Sequence, residues 1–396
     1  MKVTRRTDGS WSYFLDDSDS FANHTGNYLK LSLSNIALFT ALDLRSTMFS
    51  RGRVYLADEK GKEIEKDPIL DLFKNPNFAR SQQDFLYSHL WNKSLGNNVS
   101  RVIPNRSGLN VNVREIAKVS SIENLIPSLI DYKEVNKVKE FIISETQKKA
   151  LLDKKLKYTL SGSEHEIPLN QLAFFYDVTN NMTDESYFKS PSRVKALIPS
   201  LLNIQEAQSA KNVNLKHSKK WLLTNKGGDT YGKTDLKTEE KKEIEERFLH
   251  KDVMATNADV KAESLAPDLR KLMLDDAVAS DAMKVFSAYG INKDVINWWM
   301  NGQSTHANKE FGIVDWIQNS IQFEADDWGN TWTSFFGYDE QGKKLKIDYN
   351  GLPIMQSLEL KRIETLKERA SIVQTLVKAG AKYEDALKIS GLEENM

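Results

Sequence analysis

The sequence predicts an α+β protein with more than one lobe, and three observations support this. Stretches with apolar residues at helical spacing occur in both the first hundred and the last two hundred residues. Short apolar runs separated by turn residues fill the interval from 98 to 178 and indicate strands. The chain has 396 residues, of which 40% are apolar, so it is long enough for more than one core.

The N-terminal third combines helices with one hairpin. Residues 1 to 30 are polar and irregular, which predicts a loose arm. Helical spacing follows from Ser34 to Ser50, and "GRVYLADEKGKEI" predicts a β-hairpin. Two further helices are predicted, one capped by Asp67 and one capped by Ser81.

The middle of the chain changes from strands to a long helix. The runs VSRVI, KEFIIS, KLKYTLSG and LAFFYDV predict strands of a mixed sheet lobe. A long helix is then predicted with Ser190 as its N-cap and Pro191 at its first position. Its apolar stripe fades after Ile204 into small and polar residues. Such a helix leaves its own core, so we expect another surface, such as a neighbouring subunit, to order it.

The C-terminal part is predicted to be mainly helical. Helices are expected over Asp268–Gly290, Phe311–Trp328 and about Gln356–Lys378, the last of them capped by Gly380. The run YDEQGKKLKIDY between the last two predicts a short hairpin.

The net charge is zero, but the charges are unevenly placed. Residues 189 to 226 carry eight Lys and Arg and one acid, whereas residues 265 to 340 carry five Lys and Arg and twelve acids. Such runs are either solvated helix faces or separate surfaces that serve separate partners.

Composition and the N-terminal sequence predict a soluble, cytoplasmic protein. The chain contains no cysteine, which excludes disulfides and thiolate metal sites. The first residues lack the apolar stretch of a signal peptide. The longest strongly apolar stretch, Ile36–Leu44, contains Asp43 and is too short to span a bilayer.

A glycine-rich loop, "TNKGGDTYGKTD", has the spacing of a phosphate-binding loop, with Gly227, Gly232, Lys233 and Thr234 in the pattern G-x-x-x-x-G-K-T. A working loop follows a buried strand and opens a helix, so that backbone N–H groups face the phosphates. Here the following helical segment begins late and is polar on most sides, and a downstream acid for magnesium is missing. A nucleotide hydrolase therefore remains an alternative.

Other catalytic signals are weak. The six histidines are scattered without ligand spacing, and no G-x-S-x-G element occurs. We therefore predict no catalytic residue, no metal site and no cofactor. Trp298 and Trp299, beside Gly302, are either a packing anchor or a stacking platform for bases.

Several segments, taken in order, resemble the portal proteins of tailed bacteriophages, of the long-tailed phage type. They are "DPILDLFKNPNFARSQQDFLYSHLWNKSLGNNVSRV", "FKSPSRVKALIPSLLNIQEAQSAKN", "LDDAVASDAMKVFSAYGI", "HANKEFGIVDWIQNSI" and "LVKAGAKYEDALKISGLEEN". The resemblance extends from Ser34 to Glu394. Each motif is moderately specific, and their shared order is more so.

The resemblance implies a portal-type fold, which has a mixed α/β wing, a two-helix stem, a clip inserted between the stem helices, a tunnel loop and a C-terminal helical crown. The implied segments are a flexible arm (1–30), the wing (31–190), the first stem helix (191–218), the clip (219–269), the second stem helix (270–290), the tunnel loop (291–309), a channel helix with a wing hairpin (310–355) and the crown (356–396).

The resemblance also implies the function and the partners. Portal proteins form a ring, of about twelve subunits, at one capsid vertex, and double-stranded DNA passes through it during packaging and ejection. They do not hydrolyse nucleotide. The implied partners are the terminase large subunit, the major capsid protein and a head-tail adaptor, in the virion and, during assembly, in the host cytoplasm. The clip, with Gly227, Gly228, Gly232 and Lys233, would dock terminase and the adaptor.

The acidic segment is the predicted lining of the channel. Lys or Arg facing the DNA would trap phosphates, whereas carboxylates repel the duplex and keep it centred. The residues predicted to line the lumen and tunnel loop are Asp275, Asp276, Asp281, Asp294, Trp298, Trp299, Asn301, Glu310 and Asp315. A third hypothesis is a DNA-binding protein that does not form rings.

Overall fold

The computed structural model describes residues 2–5, 11–14, 24–106, 113–133, 152, 154–178, 188, 190–217, 221–225, 260–264, 274–296 and 306–390. The helices are α1 (His24–Ser34), α2 (Ile36–Ser50), α3 (Pro68–Lys74), α4 (Gln82–Ser94), α5 (Val194–His217), α6 (Leu274–Ala288), α7 (Lys293–Ile296), α8 (His306–Trp316), α9 (Gln322–Phe335), α10 (Pro353–Lys378) and α11 (Tyr383–Ser390). The strands are β1 (Lys2–Arg5), β2 (Trp11–Phe14), β3 (Arg53–Ala57), β4 (Glu63–Ile64), β5 (Asn97–Pro104), β6 (Val119–Asn124), β7 (Ile130–Asp131), β8 (Lys155–Leu160), β9 (Ser163–Pro168), β10 (Leu172–Tyr176), β11 (Trp221–Asn225), β12 (Val260–Ser264) and β13 (Lys344–Asp348).

The N-terminal helices begin where the sequence predicts. The Asp67 side chain accepts a hydrogen bond from the Ile69 N–H at the start of α3. Ser81 and Asp84 form a reciprocal capping box at the start of α4. These local hydrogen bonds fix the ends of α3 and α4, and α4 packs against α2.

The strands form small sheets, and every pairing in the described part of the chain is antiparallel. Their orders are β10-β5-β6, β7-β8-β9, β13-β3-β4, β1-β2 and β11-β12. The strands predicted from VSRVI, KLKYTLSG and LAFFYDV are therefore present, whereas KEFIIS lies outside the described residues.

Two local predictions were wrong. The expected hairpin YDEQGKKLKIDY does not form, because Asp339–Gln341 is a 3-10 turn and β13 pairs instead with the distant strand β3. The N-terminal arm is also more regular than expected. It contains the β1–β2 hairpin, and α1 begins at His24 and places Tyr28 in the core.

An aromatic core joins the helices to the sheets. Trp328 and Trp332 of α9 are fully buried, and both contact the Phe73 ring edge-on, at centroid distances of 4.8 and 5.3 Å. Gly329 lies between them. A Cβ added there would lie 2.2 Å from the Leu345 carbonyl oxygen, so only glycine lets α9 approach β13 this closely.

The helix predicted over Phe311–Trp328 is longer than expected. It begins with α8, passes through a π-helical turn at Ile317–Ile321 and continues as α9. The long helix α10 follows, ending at Gly380 with φ of 94°, as predicted. In contrast to α9, α10 has one buried side chain, Val373, among its described residues. None of the described helices combines the length and hydropathy needed to cross a bilayer.

Candidate DNA channel and docking site

The two helices predicted to form a stem, α5 and α6, pack side by side. The start of α5 differs from the prediction. The helix begins at Val194, whose N–H donates to the Ser192 hydroxyl over 3.2 Å. Ser190 instead binds the backbone of Val178, accepting from its N–H over 3.1 Å and donating to its carbonyl oxygen. Ser190 therefore joins the preceding strand region to the helix and does not cap it.

Burial along α5 follows the predicted stripe. Val194, Leu197, Leu201 and Ile204 are buried, and beyond Ile204 the described side chains are exposed or half-buried. The described part of α5 thus packs into the subunit up to Ile204, and the next residues, 205 to 209 and 211, lie at least partly outside its core.

A two-stranded ribbon lies between the stem helices in sequence. Strand β11 follows α5 and pairs with β12 in antiparallel register, from Trp221 opposite Ser264 to Asn225 opposite Val260. Residues 226 to 259 are therefore an insertion whose two ends are held together. The predicted docking residues Gly227, Gly228, Gly232 and Lys233 fall inside this insertion, outside the described residues.

The predicted lumen acids of the helix pair have different surroundings. Asp276 is exposed near the start of α6. Asp281 is buried against α5, where it accepts hydrogen bonds from Asn203 Nδ2 over 3.2 Å and Lys284 Nζ over 2.8 Å. The Lys284 ammonium holds the pKa of Asp281 below its usual range. Asp275 lies on the same helix, and its side chain is outside the described part.

The remaining predicted lumen residues lie beyond α6. Asp294 is half-buried, and its Cβ lies close to Gly312. Glu310 accepts a hydrogen bond from Lys361 of α10 over 2.8 Å. Asp315 accepts one from Asn319, one turn further along, over 2.7 Å. The predicted constriction residues Trp298, Trp299 and Asn301 lie outside the described residues.

The end of α6 contacts the π-helical turn. Gly290 adopts φ of 69°, and the Ile291 N–H donates to the Phe286 carbonyl oxygen over 3.0 Å, which closes the helix. A Cβ on Gly290 would lie 2.8 Å from Ser320 Oγ of the π turn. The predicted tunnel loop thus starts from a tight contact between α6 and the α8–α9 helix.

A largely buried group of charges joins α2, α4 and α9. Glu324 is buried and forms ion pairs with Arg45 and with Lys93, whose Nζ lies 2.5 Å from Glu324 Oε2. Lys93 Nζ also lies 2.6 Å from Asp327 Oδ2. We call these four residues the junction cluster, and they line one side of a cleft of about 550 Å³.

The same cleft is lined by a second ion pair that holds the stem. Arg193 Nε donates to Asp177 Oδ2 over 2.8 Å, and Arg193 Nη1 donates to the Ala288 carbonyl oxygen at the end of α6 over 2.8 Å. Tyr289 lies beneath the guanidinium groups of Arg193 and Arg45, and its hydroxyl donates to the Ser94 carbonyl oxygen over 3.0 Å. One arginine therefore ties both stem helices to strand β10.

The two buried acids differ in pKa because their pairing differs. Burial raises the pKa of Asp177, although Arg193 opposes this effect. Burial also opposes ionisation of Glu324, but Arg45 and Lys93 together lower its pKa to about 2. Glu324 is therefore a carboxylate at neutral pH.

Sequence reasoning missed the junction cluster and counted Glu324 only as part of an acidic surplus. Among the described acids between 265 and 340, Asp281, Glu310, Glu324 and Asp327 form ion pairs with cations. Three of the cations, Arg45, Lys93 and Lys361, lie outside that segment. A signal was present, since Glu324 lies three residues after Ile321 and four before Trp328, on the apolar stripe of α9.

The described residues bear on two chemical alternatives, a metal site and a phosphate-binding loop. No group of three His, Asp or Glu side chains in these parts of the chain is arranged to hold a metal ion. The strand before the phosphate-loop pattern, β11, pairs in an antiparallel ribbon, whereas a phosphate loop follows a strand of a parallel sheet.

Comparison with solved structures gives the fold its relatives. A chain in the neck of the empty gene transfer agent (GTA) particle, computed with C6 symmetry, superposes with a TM-score of 0.60 at 14% identity, covering 93% of both chains. A chain in the neck of the native GTA particle, computed with C12 symmetry, gives 0.55 at 13% identity with the same coverage. An HK97-family phage portal protein from Corynebacterium diphtheriae gives 0.48 at 11% identity, covering 80% of this chain and 93% of its own.

No protein-family model and no curated protein sequence matches the chain. The two neck structures confirm the predicted portal-type α+β fold over nearly the whole chain, because they cover helices, sheets and connections together.

Proposed function

We propose that this chain is a portal protein, the repeated subunit of a ring at a capsid vertex through which DNA is packaged and ejected. The observation that carries the proposal is the fold shared with chains of ring-symmetric particle necks over 93% of both chains. The helix pair supports it, because the last buried side chain described on α5 is Ile204, and residues 205 to 209 and 211 keep exposed surface that a neighbouring subunit would cover.

The segments take the roles that the resemblance assigns. Residues 31–190 form the wing, and 310–355 form a channel helix followed by the wing strand β13. Residues 191–218 and 270–290 form the stem, 219–269 the clip, 291–309 the tunnel loop and 356–396 the crown, and residues 1–30 precede the wing. The β11–β12 ribbon supports the clip assignment, since it holds together the two ends of the segment 226–259, which lies between the stem helices in sequence.

The lumen is the path of double-stranded DNA, and carboxylates keep the duplex from binding its wall. Asp275, Asp276, Asp294 and Asp315 are the main proposed wall residues, with Trp298, Trp299 and Asn301 at the constriction. Asp281 and Glu310 contribute less, because Lys284 and Lys361 already pair with them.

The clip, with Gly227, Gly228, Gly232 and Lys233, docks the terminase large subunit and later the head-tail adaptor, and the ring also contacts the major capsid protein. We expect that replacing residues 226 to 234 by a short neutral turn leaves rings intact and abolishes terminase capture in a pull-down. Unchanged capture would contradict the clip assignment.

The mass of the native assembly tests the proposal. We expect native mass spectrometry and electron microscopy of the purified chain to show closed rings, of about twelve subunits. A monomer at high protein concentration would contradict the portal proposal. Salt-dependent duplex binding by that monomer would instead favour a DNA-binding protein that does not form rings.

Nucleotide hydrolysis is the second measurement. We expect no ATPase activity from the chain, because a partner terminase supplies the energy for packaging. Steady-state hydrolysis that disappears in Lys233→Ala would instead establish the phosphate-loop pattern as a working site.

A further inference from the structure

One aromatic side chain is held away from the rest of the subunit. Phe78 is 105% exposed relative to a free residue, at the tip of a turn closed by a bridge between Asn77 and Arg80. Asn77 fixes this turn, since its Nδ2 donates to the Ile122 carbonyl oxygen over 3.1 Å and its Oδ1 accepts from the Ala79 N–H over 3.0 Å. Phe78 is thus presented to solvent by a rigid turn, which is typical of a residue that inserts into a partner.

Phe78 belongs to a wider apolar surface. Leu33, Ile36 and Phe39 are exposed nearby on α1 and α2, at 63%, 43% and 38%. Leu33 and Phe39, together with the outer face of α4 and with Ala79 and Arg80 of the turn, border a groove of about 500 Å³. We call Phe78 and this groove the aromatic knob surface.

Another exposed aromatic side chain, Phe323, lies on the other side of α4. Phe323, at the start of α9, is 69% exposed and lines the cleft that contains the junction cluster. The α4 residues that line the groove, Asp84, Tyr87, Ser88, Trp91 and Asn92, point in one direction, and Lys93 points about 170° away at 100° per residue. Because Lys93 binds Glu324 and Asp327 of the cleft, the knob surface and the cleft lie on opposite sides of α4.

This arrangement fits a head-to-tail ring. Each interface in such a ring joins one patch of a subunit to a different patch of the next subunit. In a ring of twelve, the two patches on any one subunit face about 150° apart. The charges are also complementary. Arg80 is exposed beside Phe78, and Asp326 is exposed on α9 near Phe323.

We infer that the Phe78 turn of one subunit inserts into the Phe323 cleft of the next, with Arg80 placed against Asp326. The occupant of each surface is therefore a second copy of this chain. The inference rests on the proposed ring and adds the wing contact that sets the spacing of its subunits.

Cysteine cross-linking tests the contact directly, because the natural chain contains no cysteine. Disulfides form only when the two Cβ atoms approach to roughly 4 Å. We expect the double variant Phe78→Cys, Phe323→Cys to give a ladder of disulfide-linked oligomers under mild oxidation, about tenfold above background. The matched control is Phe78→Cys, Leu160→Cys, whose second site is exposed on the β8–β9 hairpin and should remain monomeric on a denaturing gel.

A charge exchange provides a second readout that needs no oxidation. Arg80→Asp and Asp326→Arg should each lower the fraction of subunits in rings, measured by native mass spectrometry, and the double variant should restore it. Two outcomes would overturn the inference while leaving the portal proposal intact, namely rings without the 78–323 cross-link, and single charge variants that assemble like the wild type. Absence of rings from the wild-type chain would instead overturn the portal proposal itself.

Discussion

The junction cluster and the exposed faces of α6 and α10 both contain charged residues, but these residues have different surroundings. At the junction, the side chains of Arg45, Lys93 and Glu324 are each 5% exposed or less, and both cations lie within ion-pair distance of Glu324. On α6, Asp276 is exposed, and most of α10 is exposed as well. The first region satisfies its charges within one subunit, whereas the second leaves its surfaces available for partners.

Because of this difference, we expect substitutions in the two regions to affect different properties, namely the stability of the subunit and the behaviour of the assembly. A buried charge that loses its partner is costly, because it can no longer be solvated by water, whereas an exposed charge is already solvated. We therefore expect junction substitutions to unfold the subunit. Substitutions on the exposed helices should leave the subunit folded and change what the assembled ring does.

The largest effect should come from Glu324→Gln, which leaves Arg45 and Lys93 buried without their shared carboxylate. We expect the free energy of unfolding, measured by urea denaturation, to fall by about 3–5 kcal/mol. The control is Glu340→Gln, the same chemical change at an exposed acid outside the cluster, which should stay within about 0.5 kcal/mol of the wild type. Equal stability of the two variants would mean that the junction cluster does not hold the wing together.

Acid should expose the same contrast without mutation. The pKa of Glu324 is about 2 in the folded chain, against an ordinary value of 4.5. Its contribution to stability is therefore complete above about pH 4.5 and is lost as the pH falls toward 2. Urea midpoints measured across this range should fall more steeply for the wild type than for Glu324→Gln. Parallel curves would contradict the assigned pairing.

A smaller loss of stability is expected from a substitution that disturbs packing in the buried core than from one that removes a buried charge. Gly329→Ala puts a methyl group against the Leu345 carbonyl oxygen, so α9 must move away from β13. We expect a loss of about 1–3 kcal/mol in the free energy of unfolding. Gly351→Ala is the control, because its added Cβ meets open space before α10, and its stability should be unchanged.

The sequence predicts best the features that depend on neighbouring residues. The caps at Asp67 and Ser81, the stripe of α5 to Ile204 and the glycine end of α10 all follow from contacts within a few residues. They were predicted correctly because local hydrogen bonds and helical periodicity determine them.

The features that sequence reasoning missed depend on distant contacts. The sequence predicts β13 as half of a hairpin, yet β13 pairs with β3, and its Leu345 and Ile347 side chains are buried in the hydrophobic core. Sequence reasoning counted Glu324 as one more acid of the surplus. In the structure it is paired with Arg45 and Lys93, which come from the first hundred residues. Helical periodicity can mark a residue such as Glu324 as buried, but it does not identify the partner, since only the folded chain brings the two together.

The contrast also limits what the acidic segment can mean for the proposed channel. The surplus of seven acids between 265 and 340 includes Glu324, Asp327 and Glu310, which are neutralised by cations outside the segment. The proposed lumen charge therefore depends on fewer acids than the count implies. Asp275, Asp276 and Asp315 are the three to test, because none of them belongs to the junction cluster.

The smallest effect on stability, and the most specific effect on function, should come from reversing these three acids. Asp275→Lys, Asp276→Lys and Asp315→Lys together place three cations on the proposed wall of the channel, where each would hold a DNA phosphate by releasing counterions. Ring assembly, measured by native mass, should be preserved. Packaging should slow or stall, most strongly at low salt. The screening length is then longer than the value of about 10 Å at 0.1 M salt, so the attraction between the new cations and the DNA phosphates is weakened less. A matched triple reversal at Glu65, Asp339 and Glu340, exposed on the wing, adds the same charge away from the axis and should package normally. If both triple variants package at the wild-type rate at every salt concentration, these acids do not line the path of the DNA.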